Sequence, residues 1–187
     1  MRLICSAVLF FVLLSSGCDK AQRATTSNQP DSKGNSNAPA RTTNDAASAD
    51  DRVDGTLTVN GKPVSLQHVY AWTTKGAFDE TKTDVRVLIT DQPVPEEKLR
   101  SLMPIMSGDV TQGIELRIDD DKKIIGSEVY HSALKHGYFS GSGMTVFEPV
   151  SFDTNLVEAK ASSGGPQETF GDKWEYSVSF RVKVRRL

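Results

Sequence analysis

Trp174-Glu175-Tyr176-Ser177-Val178-Ser179-Phe180-Arg181-Val182-Lys183-Val184 is the stretch whose reading decides the fold. Trp174, Tyr176, Val178, Phe180, Val182 and Val184 alternate strictly with polar residues, and only a period of two gathers them on one side. This predicts a half-buried β-strand. At roughly 3.3 Å per residue it runs about 35 Å, longer than most strands, which implies a bend or a passage from one sheet to another. Its aromatic and β-branched face has to lie on further strands.

Those strands are readable upstream. Val157, Ala159 and Ala161 alternate with Glu158 and Lys160 over 156–161, and their small side chains leave room for the bulky 174–180 face. Ser162 to Gly165 with Pro166 turns the chain into the final strand. Thr145 to Phe152 reads as a strand interrupted by Pro149, which predicts an edge or a bulge. Ile114, Leu116 and Ile118 alternate with Glu115 and Arg117, Asp119 to Lys122 form a polar turn, and Lys123 to His131 returns as a second hairpin. Ser132 to Gly143 reads as a long loop.

The clearest unit comes first. Leu57 and Val59 alternate with Thr56 and Thr58, Asn60-Gly61 follows, and Val64, Leu66, His68, Tyr70 and Trp72 alternate with Ser65, Gln67, Val69 and Ala71 as one strand. Asn-Gly favours a two-residue type I′ hairpin because both positions tolerate positive φ. That loop places Val59 opposite Lys62 and Leu57 opposite Val64. Thr74 to Thr83 is a loop, and Val85, Val87 and Ile89 belong to another strand that Pro93 and Pro95 end. Pro95 suits a first helical position ahead of Glu96 and Glu97, and Leu99, Leu102, Met103 and Met106 share a helical face that Pro104 ends or kinks. The expected architecture is mainly β: a single antiparallel β-sandwich or barrel over 53–187, with one short helix covering an end or open side of the sheet.

Composition narrows the partners. The formal net charge of −2 shows no basic excess, so no nucleic acid is expected. Asp19 to Arg52 holds no Val, Leu, Ile, Met or aromatic residue and cannot offset its ordering entropy, so a disordered tether is expected there. As a flexible coil of about 34 residues it reaches roughly 30 Å.

Leu3 to Leu14 is almost wholly apolar behind Arg2, too short to span a membrane and the right size for a secretory signal over 1–17. It ends Leu14-Ser15-Ser16-Gly17-Cys18, which resembles the lipobox of bacterial lipoproteins, with Ser15 where most members have Leu. The resemblance implies cleavage before Cys18, lipidation of its thiol and acylation of the new amine. Residues 18–52 then become a lipidated cysteine and linker, and two acyl chains or more give the stable anchoring that one cannot. The alternative is a plain signal peptide with Cys18 incidental. Asp19 resembles an inner-membrane retention signal of enteric lipoproteins, a rule that varies between lineages. The expected location is the cell envelope, facing the periplasm, with the membrane as partner through the anchor. Gly55 to Lys62 with Leu66 to Ala71 resembles the opening of small secreted bacterial domains that carry no assigned activity, and implies nothing about function.

Chemistry is thin. The only other cysteine, Cys5, lies in the signal, so the domain has no thiol for a disulfide, zinc or catalysis. His131 and His136 are five apart, which fits neither a helical nor a strand metal pair, and His68 is the remaining histidine. Asp119-Asp120-Asp121 lacks the spacing of a calcium loop and suits a solvated turn. No metal or cofactor is expected. Ser140-Gly141-Ser142-Gly143 supports no G-x-S-x-G elbow. It resembles part of the serine-glycine loop by which membrane-bound lysozyme inhibitors enter the enzyme's cleft, but Met144 and Thr145 replace the Arg and Tyr that follow in that family. Arg181, Lys183, Arg185 and Arg186 form a basic stripe that either touches anionic lipid or keeps an exposed strand from pairing.

No catalytic set stands out. Ser140, Gly141, Ser142, Gly143, His68 and His131 are the candidate binding residues, and Cys18 the lipidation site. The leading expectation is a lipid-anchored, non-catalytic module that binds an envelope protein or a small ligand. The alternatives are a hydrolase with a dispersed Ser/His/Asp site and an inhibitor of a wall-cleaving enzyme, for which Ser140 to Gly143 should protrude.

Overall fold

The 174–184 stretch lies inside β11 (Asp172–Arg185), the longest strand of a computed structural model that describes residues 50–100 and 112–187. The others are β1 (Arg52–Val59), β2 (Lys62–Ser65), β3 (His68–Lys75), β4 (Thr83–Thr90), β5 (Gly113–Ile118), β6 (Ile124–Tyr130), β7 (Tyr138–Gly141), β8 (Val146–Phe152), β9 (Leu156–Ser162) and β10 (Gln167–Thr169). Most of β11 is interior to one half of the sheet. It pairs antiparallel with β1 through Val59↔Trp174 to Arg52↔Arg181, and with β9 through Ser177↔Ser162 to Lys183↔Leu156. At Val184 and Arg185 it pairs parallel with Ala71 and Trp72 of β3 and so enters the other half, which continues through β4, β5, β6 and β7 by antiparallel pairing. The strand therefore passes between halves as its length implied. Its path through the sheet ends at β2 and β7 without closing, so the barrel alternative is excluded.

The inward faces of both halves share one apolar cluster. Trp174, Tyr176, Val178, Phe180 and Val182 are buried in it with Val87, Ile89, Ile114, Leu116 and Val129 from the second half. Phe139 of β7 lies 4.9 Å from the Trp174 ring, centroid to centroid. Small-to-large complementarity holds the register: Val178 stands beside Ala161 and Phe180 beside Ala159, all buried. Each large side chain so buried contributes roughly 1.5–3 kcal/mol.

The Asn60-Gly61 hairpin has the expected register, Val59↔Lys62 and Leu57↔Val64, with φ of 50° and 76° at its two turn residues. Pro149 lies on an edge strand, β8, at a register shift between Pro149 and Ser151. A short helix, α1 (Glu96–Leu99), buries Leu99 with Tyr70, Trp72, Leu88, Val94 and Tyr130 in a second cluster. Leu102, Met103, Pro104 and Met106, expected to extend that helix face, lie outside the described residues.

Four sequence-based expectations need correction. Val64 to Trp72 is not one strand: Leu66 N–H donates to Gly55 O in the first half (3.0 Å) and Gln67 N–H to Thr90 O in the second (2.9 Å). The chain changes halves there and its parity flips. Val69 and Ala71 face the main core, whereas Tyr70 and Trp72 join the second cluster. Ser132 to Gly143 is not all loop, because Tyr138–Gly141 pairs with β6. Ser162 to Pro166 does not lead straight into the final strand: β10 intervenes and turns at Phe170-Gly171, both with positive φ, into β11. Arg181, Lys183 and Arg185 of the basic stripe lie on an interior strand and are met by acids. Arg181 pairs with Glu158, which also takes Arg52 at 3.0 Å, while Lys183 meets Asp50 at 2.7 Å and Arg185 meets Asp51 at 3.3 Å.

Candidate functional site

Register on the outer face of β3 to β7 brings together residues far apart in sequence. Along one row lie Trp72, Arg86, Arg117 and Gly126; along the next, Tyr70, Leu88, Glu115, Glu128 and Ser140; along the third, His68, Thr90, Gly113, Tyr130 and Tyr138. Two cross-strand pairs on this face are like-charged, Arg86↔Arg117 and Glu115↔Glu128. Such pairs are destabilising when directly opposed. Diagonal contacts relieve them: Arg86 grips Glu115 through Nε and Nη2, and Arg117 Nε donates to Asp84 Oδ2 at 2.7 Å. Arg117 also donates through Nη2 to Lys75 O, and Asp84 accepts the Ala77 N–H.

Glu128 is left with one hydrogen bond, from the Tyr130 hydroxyl, and no ion pair among the described residues. It borders a groove of about 510 Å³ with Arg86, Glu115, Arg117, Ser140 and Gly141. Gly126 opens the floor, since a Cβ there would meet nothing nearer than the Arg117 Cβ at 4.0 Å. Pockets of this size suit small ligands or side chains.

Glu115 is only 4% exposed. Burial raises its pKa and the Glu128 charge adds to that, while the Arg86 charge and hydrogen bond pull it down; burial wins and the carboxyl is pushed up to about 6. The Arg86 guanidinium also lies over the Trp72 ring, 5.6 Å from its centroid.

The candidate residues expected from sequence separate into two groups. Ser140 and Gly141 line the groove from β7, while Ser142 and Gly143 lie in the exposed turn beyond it. Half of the run expected to protrude as a loop is thus a strand. His68 sits partly exposed in the outer row beside Thr90. His131 is 2% exposed, its Nδ1 accepts the Ala133 N–H at 2.9 Å, and burial holds its pKa below the ordinary histidine range. No histidine lines a described groove, and among the described residues no three His, Cys, Asp or Glu side chains converge as metal ligands would. The Asp119–Asp121 turn is a structural one: Asp119 Oδ1 accepts the Lys123 N–H and Asp120 pairs with Lys82 at 2.9 Å.

Arg86, Glu115, Arg117 and Glu128 escaped sequence reasoning because each is an ordinary outward residue of its own strand. Pairing β4 with β5 and β5 with β6 would have shown the stacked like charges. No protein-family model, no curated protein and no solved structure matches the chain.

Proposed function

We propose that this chain is a lipid-anchored protein of the bacterial envelope, held through Cys18, whose β domain binds a partner on the outer face of β3 to β7 without catalysing a reaction. The observation that carries the binding reading is the groove itself. Its arginines and Glu115 are committed to one another and to Asp84, no histidine lines it beside Ser140 among the described residues, and one carboxylate, Glu128, is left facing out. Arginines held in ion pairs are not free to act on a reacting group, which supports recognition of a ligand over activation of a nucleophile. The anchor reading is supported by the Leu14 to Cys18 sequence ahead of a segment without large apolar residues.

Two measurements test the proposal. The intact mass of the mature protein should show Cys18 as a diacylated first residue, and Cys18→Ser should release the chain from membranes; an unmodified N-terminus elsewhere refutes the anchor. In-cell crosslinking from a photoreactive residue at Gly126 should capture a partner, and turnover of a substrate lost on Ser140→Ala would refute the non-catalytic reading.

A further inference from the structure

Among the described residues the sheet has four strands paired on one side only, and three of them are guarded. β2 carries Lys62 and Pro63, β8 carries Glu148, Pro149 and a register shift, and β10 is three residues long with Glu168 at its centre. Charges, prolines, bulges and brevity are the usual means of stopping an edge from pairing with another chain. β7 has no charge, no proline and an unbroken register against β6.

Which of its backbone groups face outward follows from one bond. His131 N–H donates to Gly137 O at 3.1 Å, so 131/137 is a bonded pair, and the antiparallel alternation makes 129/139 and 127/141 bonded as well. The N–H and C=O of Tyr138 and Ser140 therefore point away from β6, and no other backbone group among the described residues bonds them. Their side chains lie on the outer face, with Tyr138 40% exposed and stacked on Tyr130 at 5.8 Å.

We propose that β7 is a docking edge for an extended peptide segment of a partner protein, added as a further strand, with a lysine or arginine opposite Ser140 and an apolar residue opposite Tyr138. The choice of a basic residue comes from charge. Glu128 lies directly across from Ser140 on the far side of β7 and has no ion pair among the described residues. Two strand spacings, about 10 Å, separate it from the incoming residue, a gap that the lysine and glutamate side chains span together across the small Ser140. Main-chain bonds to Tyr138 and Ser140 supply affinity, and the charge selects the sequence. The inference deepens the binding reading above by naming the partner's chemistry, and it does not depend on the anchor.

The test titrates the full chain with end-capped octapeptides of alternating valine and threonine carrying lysine, glutamate or leucine at one central position. The lysine peptide should bind about tenfold tighter than the glutamate peptide, and Glu128→Gln should bring that ratio below about two. Amide exchange at Tyr138 and Ser140 should slow on binding, and N-methylation of the peptide's bonding amides should abolish it. Equal binding of the lysine and glutamate peptides, undiminished binding of the methylated peptide, or no binding at about 1 mM overturns the proposal. So does a dimer of this chain that Ser140→Pro dissolves, which gives the edge to a second copy. Crosslinks that place a cellular partner only on β1 or β8 defeat the edge and leave the binding module standing; a chain that captures no partner defeats both.

Discussion

Glu115→Gln isolates the electrostatics of the outer face. Glu115 is 4% exposed, and its pKa is pushed from 4.5 up to about 6 because burial outweighs the attraction of Arg86. A raised carboxylate pKa means that between those two values the folded chain holds a proton that the unfolded chain has released, so stability falls as pH rises through the window. That difference corresponds to roughly 2 kcal/mol of stability, present in full below pH 4.5, where both states are protonated, and lost as the pH rises from 4.5 to about 6. Glutamine reproduces the neutral form and still offers Arg86 an oxygen, so the variant carries no such slope. Urea unfolding of both proteins at several pH values from about 4 to about 7 gives the difference, in which every other titrating group cancels. The variant should gain roughly 2 kcal/mol on the parent from pH 4.5 to pH 7. A difference that stays flat would show that Arg86 cancels burial, and one that moves in the parent's favour as pH rises that it prevails; either would refute the reasoning.

Two further substitutions read the backbone. Phe170 is 78% exposed with φ of 53°, a conformation that a bulky residue adopts at a cost of about 1–2 kcal/mol, so Phe170→Gly should raise the melting temperature even though it deletes an aromatic ring. A lower melting temperature would mean that the ring packs on something. Gly55→Ala should destabilise by about 1–3 kcal/mol in urea unfolding, because the new Cβ would stand 2.6 Å from Ser177 O and 2.7 Å from the Val178 Cα, both backbone atoms that cannot swing aside. An unchanged midpoint would place β1 farther from β11 than the register implies.

Where one face of a strand meets the core and the other meets water, the sequence pattern was sufficient. β11, β9 and the Asn60-Gly61 hairpin follow their alternation residue by residue, and even the length of β11 carried its passage between halves. β3 shows why the rule fails elsewhere. It is buried on both faces, by the main core at Val69 and Ala71 and by the second cluster at Tyr70 and Trp72, so every residue from 69 to 72 is buried and the period carries no direction. Alternation carried across Leu66-Gln67 then kept a parity that the change of halves reverses. β7 and β10 are too short, at four and three residues, for a period to register at all.

The same physics hid most of the candidate binding face. An outward arginine or glutamate on one strand looks like ordinary solvation, and only the neighbouring strand reveals that Arg86 faces Arg117 and Glu115 faces Glu128. Stacking like charges is costly, and the diagonal bridges from Arg86 to Glu115 and from Arg117 to Asp84 offset that cost while consuming two acids, both buried. What remains is Glu128, held toward the groove by the Tyr130 hydroxyl beside an edge that carries neither charge nor proline. A surface under no demand but solubility would place a lysine on that edge, as β2 does. Its absence beside an uncompensated carboxylate is accounted for if the positive charge arrives with the strand that pairs there, and Ser140→Lys should then block the lysine peptide while leaving the fold's stability within about 0.5 kcal/mol of the parent.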